Sequence, residues 1–282
     1  MPKKLSKIVL TGAAGRLGSY LREPLAALCD TLVSTDIKDQ PGTLYEGESY
    51  VQADLADFAA MEALIKGAEM VVHMGAFVDE GPFEQLLGPN FVGSYNVWEA
   101  ASRHGVRRVV YGSSIHAVGM YPKNEFIDTE VAHRPDTFYG LAKCFTEDLG
   151  RMYWEKRGLE SVHMRILSCA QVNNARALGS WLSYDDLIQL VTRCIETPVT
   201  GFAVIYGVSN NDRAPVDNSK ASFIGYRPKD NAEQFATEVL ANEPPMDPHD
   251  PNHMCHGGPF AGVELGNSGL AGMNVIDDTK KS

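Results

Sequence analysis

Six short runs of branched and aliphatic residues, KIVLT, TLVSTD, YVQAD, MVVHM, RRVVYGSS and VHMRIL, recur along the chain with helix-length stretches between them. Those stretches, Gly15 to Leu28, Asp57 to Lys66, Phe83 to Arg103 and Thr137 to Arg157, repeat apolar residues at three-and-four spacing. No other feature limits the fold as much. A strand followed by a helix, repeated, predicts right-handed βαβ crossovers and a parallel sheet covered by helices on both faces. Strands buried on both faces read as nearly unbroken apolar runs rather than alternating ones, and these do.

Beyond residue 168 the alternation weakens. A polar loop, QVNNARALGS, precedes an expected helix from Tyr184 to Glu196, a strand from Ala203 to Tyr206 that returns to the sheet, and a helix from Asn231 to Leu240. Residues 1–168 are therefore read as a nucleotide-binding domain. Residues 169–282 are read as a smaller substrate-binding cap, with an irregular tail from Pro244 onward that is rich in Pro, Gly, Asp and Asn.

The first strand runs directly into Thr11-Gly12-Ala13-Ala14-Gly15-Arg16-Leu17-Gly18 and a helix. Glycines at this spacing permit a tight turn and a close backbone approach, so a pyrophosphate can rest on amides at a helix N-terminus. The second strand ends at Asp36, eighteen residues beyond Gly18, where a carboxylate accepts from ribose hydroxyls and repels a 2′-phosphate. Together they indicate an α/β, Rossmann-type doubly wound sheet that binds NAD rather than NADP. Asp54-Leu55, after the third strand, either flanks the adenine or supplies Asp54 as the N-cap of the next helix. Met74-Gly75-Ala76, after the fourth, offers a small-residue passage for the cofactor.

In DTFYGLAKCFTEDL, Tyr139 and Lys143 stand four apart and share a helix face. An unperturbed phenol titrates near pH 10, and a neighbouring ammonium is expected to lower that value until Tyr139 can act as a general base. The preceding strand ends in YGSSIHAVG, placing two hydroxyls and an imidazole where a purely structural strand would have neither.

This set of features resembles the extended branch of the short-chain dehydrogenase/reductase superfamily, through TGAAGRLG, the strand-end Asp36, the serine-bearing strand end and YGLAK. Aligned on Gly119, the branch's catalytic serine falls on Ser114. Asn90, in PNFVGSYNVWEAA, matches a helix in which an asparagine supports the active site through a helix irregularity; as a plain reading it caps that helix. The resemblance extends the cofactor set to Arg16, Leu17, Ile37 and Ile166, and has Lys143 bind the nicotinamide ribose.

HMGAFVDEGPFEQLL, YGLAKCFTEDLGRMY, RILSC, NNARALGSWLSYDD and DNSKASFIGYRPKDNAE are similar to the bacterial uronate dehydrogenases, compact members that oxidise the anomeric carbon of galacturonate or glucuronate to an aldaro-lactone with NAD. That likeness implies a sugar site of Ser114, His116, Ser168 and Arg176, with Arg176 pairing the C6 carboxylate; otherwise Arg176 is a surface residue of a polar loop. Two positions depart from the pattern. Ile115 replaces an asparagine after the serine, and Val78 replaces a substrate-binding serine, so each loses a polar partner for a sugar hydroxyl. A neutral aldose, or one bearing another C6 anion such as sulfoquinovose or a hexose 6-phosphate, is the alternative substrate. A nucleotide-sugar epimerase and a dinucleotide-sensing regulator are the alternative functions.

The net charge of −11 opposes binding to nucleic acid or anionic membranes. No stretch reaches the roughly 18 apolar residues of a membrane span, and the basic lead MPKKLSK enters a strand, so a cytoplasmic homo-oligomer is expected. Five scattered cysteines fit reduced thiols. His249, His253, Cys255 and His256 fit no firm zinc spacing. Trp98, Tyr153 and Trp154 are read as packing residues, and His73 as a core histidine.

Overall fold

The computed structural model describes residues 4–39, 41–241, 243, 245–271 and 278–280. In chain order these form β1 (Leu5–Thr11), α1 (Arg16–Leu28), β2 (Cys29–Asp36), β3 (Glu48–Gln52), α2 (Phe58–Ile65), β4 (Met70–His73), α3 (Phe83–Leu86), α4 (Gly93–Arg103), β5 (Arg108–Ser114), α5 (Phe138–Arg157), β6 (Glu160–Ile166), α6 (Ala177–Ser180), α7 (Tyr184–Glu196), β7 (Phe202–Gly207), α8 (Ala236–Ala241), α9 (Pro251–Met254) and α10 (Pro259–Gly262). The strands make one parallel sheet in the order β3-β2-β1-β4-β5-β6-β7.

Alternate residues of each central strand enter different cores, as a period of two requires. Ile8, Leu10, Met70, Val72 and Val110 pack with Leu21 and Leu25 of α1 and Leu187, Leu190 and Val191 of α7. Val9, Val71 and Val109 pack on the other face with Met61 and Ile65 of α2, Val97 and Trp98 of α4, and Leu149 and Tyr153 of α5. The central segments Ile8-Val9-Leu10, Met70-Val71-Val72 and Val109-Val110 are apolar at consecutive positions because both faces are covered. Trp98 and Tyr153 are thus core residues, while Trp154 is 36% exposed. All five cysteines are free thiols. Among the described residues no helix is long and apolar enough to cross a membrane.

Strand order reverses between β1 and β4. The chain winds outward through β2 and β3 and then returns beside β1, opening a crevice at the carboxyl ends of β1 and β4. Thr137 caps α5 by accepting from Gly140 N at 3.0 Å, and Ser183 caps α7 by accepting from Asp186 N at 3.0 Å, so local capping fixes where these two helices start.

The stretch expected as one helix from Phe83 to Arg103 is interrupted. Residues Leu87–Val92 form a π-helical turn between α3 and α4. Pro89 lies within it and has no N–H for the helical ladder, and a wider turn accommodates that loss. The helix expected from Asn231 to Leu240 begins as a 3-10 turn, Ala232–Phe235, before α8. The tail is irregular except for the single turns α9 and α10; its residues 272–277 lie outside the described residues.

Candidate active site

The glycine turn closes the gap between β1 and β4. Gly12 has φ +71° and lies so close to the β4 loop that a Cβ there would come within 2.6 Å of Gly75 N. A Cβ at Gly18 would strike the turn's own backbone. Gly15 starts α1 without a side-chain cap, and the first turn carries no acidic residue, so the helix amides are left to an anion. At the end of β2 the carboxylate of Asp36 accepts from Ala14 N at 3.0 Å and Lys38 N at 3.2 Å, which aims it at the turn. Ile37 beside it is 67% exposed. Leu17 and Met74 pack against one core, and Leu55 against the other, at the rim of the crevice. These residues fit a dinucleotide that has its pyrophosphate on α1 and its adenosine ribose at Asp36.

Asp54 is not the cap of α2. It accepts from Ala56 N at 2.9 Å in a local turn, and Asp57 caps the helix by accepting from Ala60 N at 3.1 Å. Arg16 is paired with Asp278 of the tail at 2.7 Å. Tyr20 of α1 stacks on Tyr184 of α7 at 3.6 Å and donates to the Asp278 carbonyl, so the tail returns to the turn that would hold the pyrophosphate. His73 is a fully buried core histidine. The Thr11 hydroxyl accepts from Gly75 N at 3.1 Å and shares a hydrogen bond with His73 Nδ1 at 2.7 Å, tying β1 to the β4 loop. Burial pushes His73 down to about 3, so it stays neutral.

At the end of β5, Ser114 caps the following 3-10 turn by accepting from His116 N at 3.3 Å, and its hydroxyl favours the ionised form of the Tyr139 phenol. Lys143, one turn along α5 from Tyr139, donates to Gly112 O at 2.7 Å; its ammonium lies 4.7 Å from the Tyr111 ring centre and 5.1 Å from that of Tyr139. The structure thus gathers Ser114, Tyr139 and Lys143 in one place. It corrects the expected electrostatics, however. Burial outweighs the lowering effect of the Ser114 hydroxyl and pushes Tyr139 up to about 12. Lys143 is itself pushed by burial to about 7, with Glu147 opposing, so it is too weakly charged to depress the phenol.

The Lys143 shift carries a stability signature. Because its folded value lies below its ordinary 10.5, the unfolded chain holds an extra proton between about 7 and 10.5, and this group's contribution to stability rises with pH through that window. In thermal unfolding, the Tm of the wild type relative to Lys143→Met should rise by several degrees between about pH 7 and about pH 9. A difference that does not vary with pH would contradict the buried, neutral-leaning lysine.

Asn90 sits within the π turn and is no cap. Its Nδ2 donates to Phe77 O at 2.9 Å and its Oδ1 accepts from Phe77 N at 2.7 Å, clamping the loop that carries Ala76 and Val78. The irregularity expected at Asn90 is present, and its work is to hold this loop.

The sugar-site candidates divide. His116 Nδ1 lies 2.7 Å from Asp136 Oδ2, and its ring is stacked on Phe260 at 4.2 Å and set edge-on to Tyr139 at 5.7 Å. Arg176 donates to His256 O at 3.0 Å, and among the described residues no carboxylate lies within ion-pair distance of it. Ser168 bridges to Trp181 beyond β6, whose last residue is Ile166, a half-buried side chain at the same edge. Val78 is 60% exposed. Ile115 was expected to face the sugar and instead is 1% exposed, packed among Val118, Ile127, Leu167 and Tyr206. The chain leaves β5 at Ser114 and the 3-10 turn directs the Ile115 side chain into that core.

Sequence reasoning missed four residues at the site. Asp136 is hidden one position before the cap Thr137. Glu80 accepts from Tyr139 N at 2.9 Å and from Gly266 N of the tail at 3.0 Å. Phe260 arrives from the tail. Glu147, at i+4 from Lys143, accepts from Ser113 at 2.6 Å and from Arg165 at 2.7 Å; its spacing from Lys143 is the one local signal that could have revealed it. Of the tail histidines, His253 accepts from Asp247 N at 2.9 Å and His256 Nε2 lies 3.0 Å from Glu125 O. Among the described residues no group of His, Cys, Asp and Glu is arranged to hold a metal.

A doubly wound parallel sheet with a glycine turn at its switch point and a Ser-Tyr-Lys cluster at its carboxyl edge defines a dinucleotide-dependent enzyme of the extended short-chain dehydrogenase class. The chain belongs to the NAD dependent epimerase/dehydratase family, whose model matches residues 8–170. Over 257 residues it is 42% identical to the uronate dehydrogenase of Pseudomonas putida, covering 91% of this chain and 96% of that one. The crystal structure of uronate dehydrogenase from Agrobacterium tumefaciens superposes with a TM-score of 0.87 at 42% identity, covering 92% of this chain and 97% of that one. Glucuronic acid dehydrogenase from Chromohalobacter salexigens gives a TM-score of 0.89 at 38% identity over 93% and 98% of the two chains.

Proposed function

We propose that the protein oxidises the anomeric carbon of a hexuronate, galacturonate or glucuronate, to the aldaro-lactone with NAD. Arg176 is the observation that carries this reading: a guanidinium at the sugar site that donates to a backbone carbonyl, with no carboxylate within ion-pair distance of it among the described residues. A planar fork of this kind suits a C6 carboxylate. NAD, when bound, accepts the hydride. Ser114 orients the C1 hydroxyl, and Tyr139, in its phenolate form, takes the proton as the C1–H electron pair leaves with the hydrogen. C1 gains a carbonyl while keeping its bond to the ring oxygen, so the product is a lactone. Lys143, in contact with Tyr139 and donating to the Gly112 carbonyl, binds the nicotinamide ribose. Residues 169–282 supply Arg176 and the tail, acting as the substrate-binding part of the chain.

Deuterium at C1 of galacturonate should slow turnover and appear quantitatively in the reduced cofactor, with a lactone as first product. Deuterium retained in the sugar would point instead to an epimerase, which returns the hydride internally. A second reading, the same chemistry on another aldose, draws on Val78, an exposed apolar side chain on the loop that Asn90 clamps.

The chain is further proposed to act in the cytoplasm as a homo-oligomer. Leu87, Val92 and Tyr95 before and on α4, with Leu141, Phe145 and Met152 along α5, are exposed apolar side chains on adjoining helices. A surface of that kind suits a second copy of the chain.

A further inference from the structure

We infer that Asp136 is a positioning residue for the sugar site, fixing the tautomer and ring orientation of His116 so that Nε2 faces the substrate. This rests on the reading above that His116 meets the sugar. The side chain of Asp136 is wholly buried, whereas that of His116 is 11% exposed, so one is the anchor and the other reaches the site. Asp136 Oδ2 takes His116 Nδ1 at 2.7 Å, and Oδ1 accepts from the Thr137 hydroxyl at 2.8 Å. The carboxylate fits only because the surrounding backbone is stripped of side chains: a Cβ at Gly119 or at Gly257 would run into Oδ2. Gly257 belongs to the tail and Gly119 to the turn after β5, so two distant segments are shaped around this one group.

The imidazole is held on its other sides as well, by the Phe260 ring on one face and by Tyr139 edge-on. Nε2 has no protein partner among the described residues and is not among the sealed polar atoms. A carboxylate on Nδ1 keeps the proton there and leaves the Nε2 lone pair to accept from a sugar hydroxyl. Substrate recognition by His116 is therefore set by a residue that never touches the substrate.

The test is a double-mutant cycle read in steady-state kinetics with galacturonate. Asp136→Ala should lower kcat/KM by about 10- to 100-fold, as misplacing one substrate-orienting group does. Asp136→Asn, whose carbonyl can still face Nδ1, should recover part of that loss. In a His116→Gln background, Asp136→Ala should cost less than about twofold more. An equal cost in both backgrounds would overturn the inference, leaving Asp136 a purely structural residue. If His116→Gln itself leaves kcat/KM unchanged, it is the placement of His116 in the sugar site that fails. Should Asp136→Ala not fold, ring 15N shifts of His116 in the wild type at about pH 9, above the usual imidazole range, decide the matter. A proton on Nδ1 is expected, and a proton on Nε2 alone would overturn the inference.

Discussion

Tyr139→Phe should lower kcat by about 10²- to 10⁴-fold, the range that a positioned acid-base group contributes, with NAD affinity changed by less than about threefold. The substitution removes one oxygen and little else. The Tyr139 ring packs with Leu86 and Phe260, and its backbone N–H is fixed by Glu80; neither contact involves the phenol. What is lost is the phenol oxygen that takes the substrate proton. Steady-state rates together with a cofactor titration by fluorescence separate the two effects. Unchanged turnover would remove Tyr139 from catalysis. Because burial dominates the shift that holds the phenol near 12, the rate of the intact enzyme should climb with pH rather than plateau at neutrality.

Arg176→Met should reduce kcat/KM for uronates by about 10²-fold or more, chiefly through KM, since deleting one partner of a buried charge pair costs roughly 2–5 kcal/mol. Methionine keeps the length of the stem and surrenders the guanidinium. Rates with a neutral aldose, low to begin with, should change by less than about threefold. Kinetics of the variant with galacturonate and with galactose provide the check. A uniform loss on both sugars would mean that Arg176 serves the fold, through its bond to His256 O, and not the carboxylate.

Much of this architecture could be read from the order of residues because burial on both faces leaves a direct imprint. Val71-Val72 and Val109-Val110 are apolar in succession since consecutive residues enter opposite cores. The glycine turn and the Tyr139/Lys143 spacing are likewise local and therefore visible. The π turn was partly visible, in Gly88-Pro89, but a proline within an apolar stretch equally marks a kink or an end. Burial cannot be read from an i, i+4 spacing, and that is why Tyr139 departs from the expected direction. Ile115 follows Ser114 in sequence yet faces the core, because the 3-10 turn after β5 ends the strand's alternation. Phe260 and Gly257 meet His116 and Asp136 only after the chain has doubled back from the tail, and no periodic pattern records such a return.

The central claim is that this chain passes hydride from C1 of a C6-anionic sugar to free NAD. Initial rates of NADH formation across galacturonate, glucuronate, sulfoquinovose, hexose 6-phosphates and neutral hexoses, each with NAD and with NADP, test it in one experiment. The account predicts the highest kcat/KM with a uronate and NAD, and little reaction with NADP. Reduction supported only by neutral sugars, or no net NADH with any sugar while the protein retains bound cofactor, would contradict it.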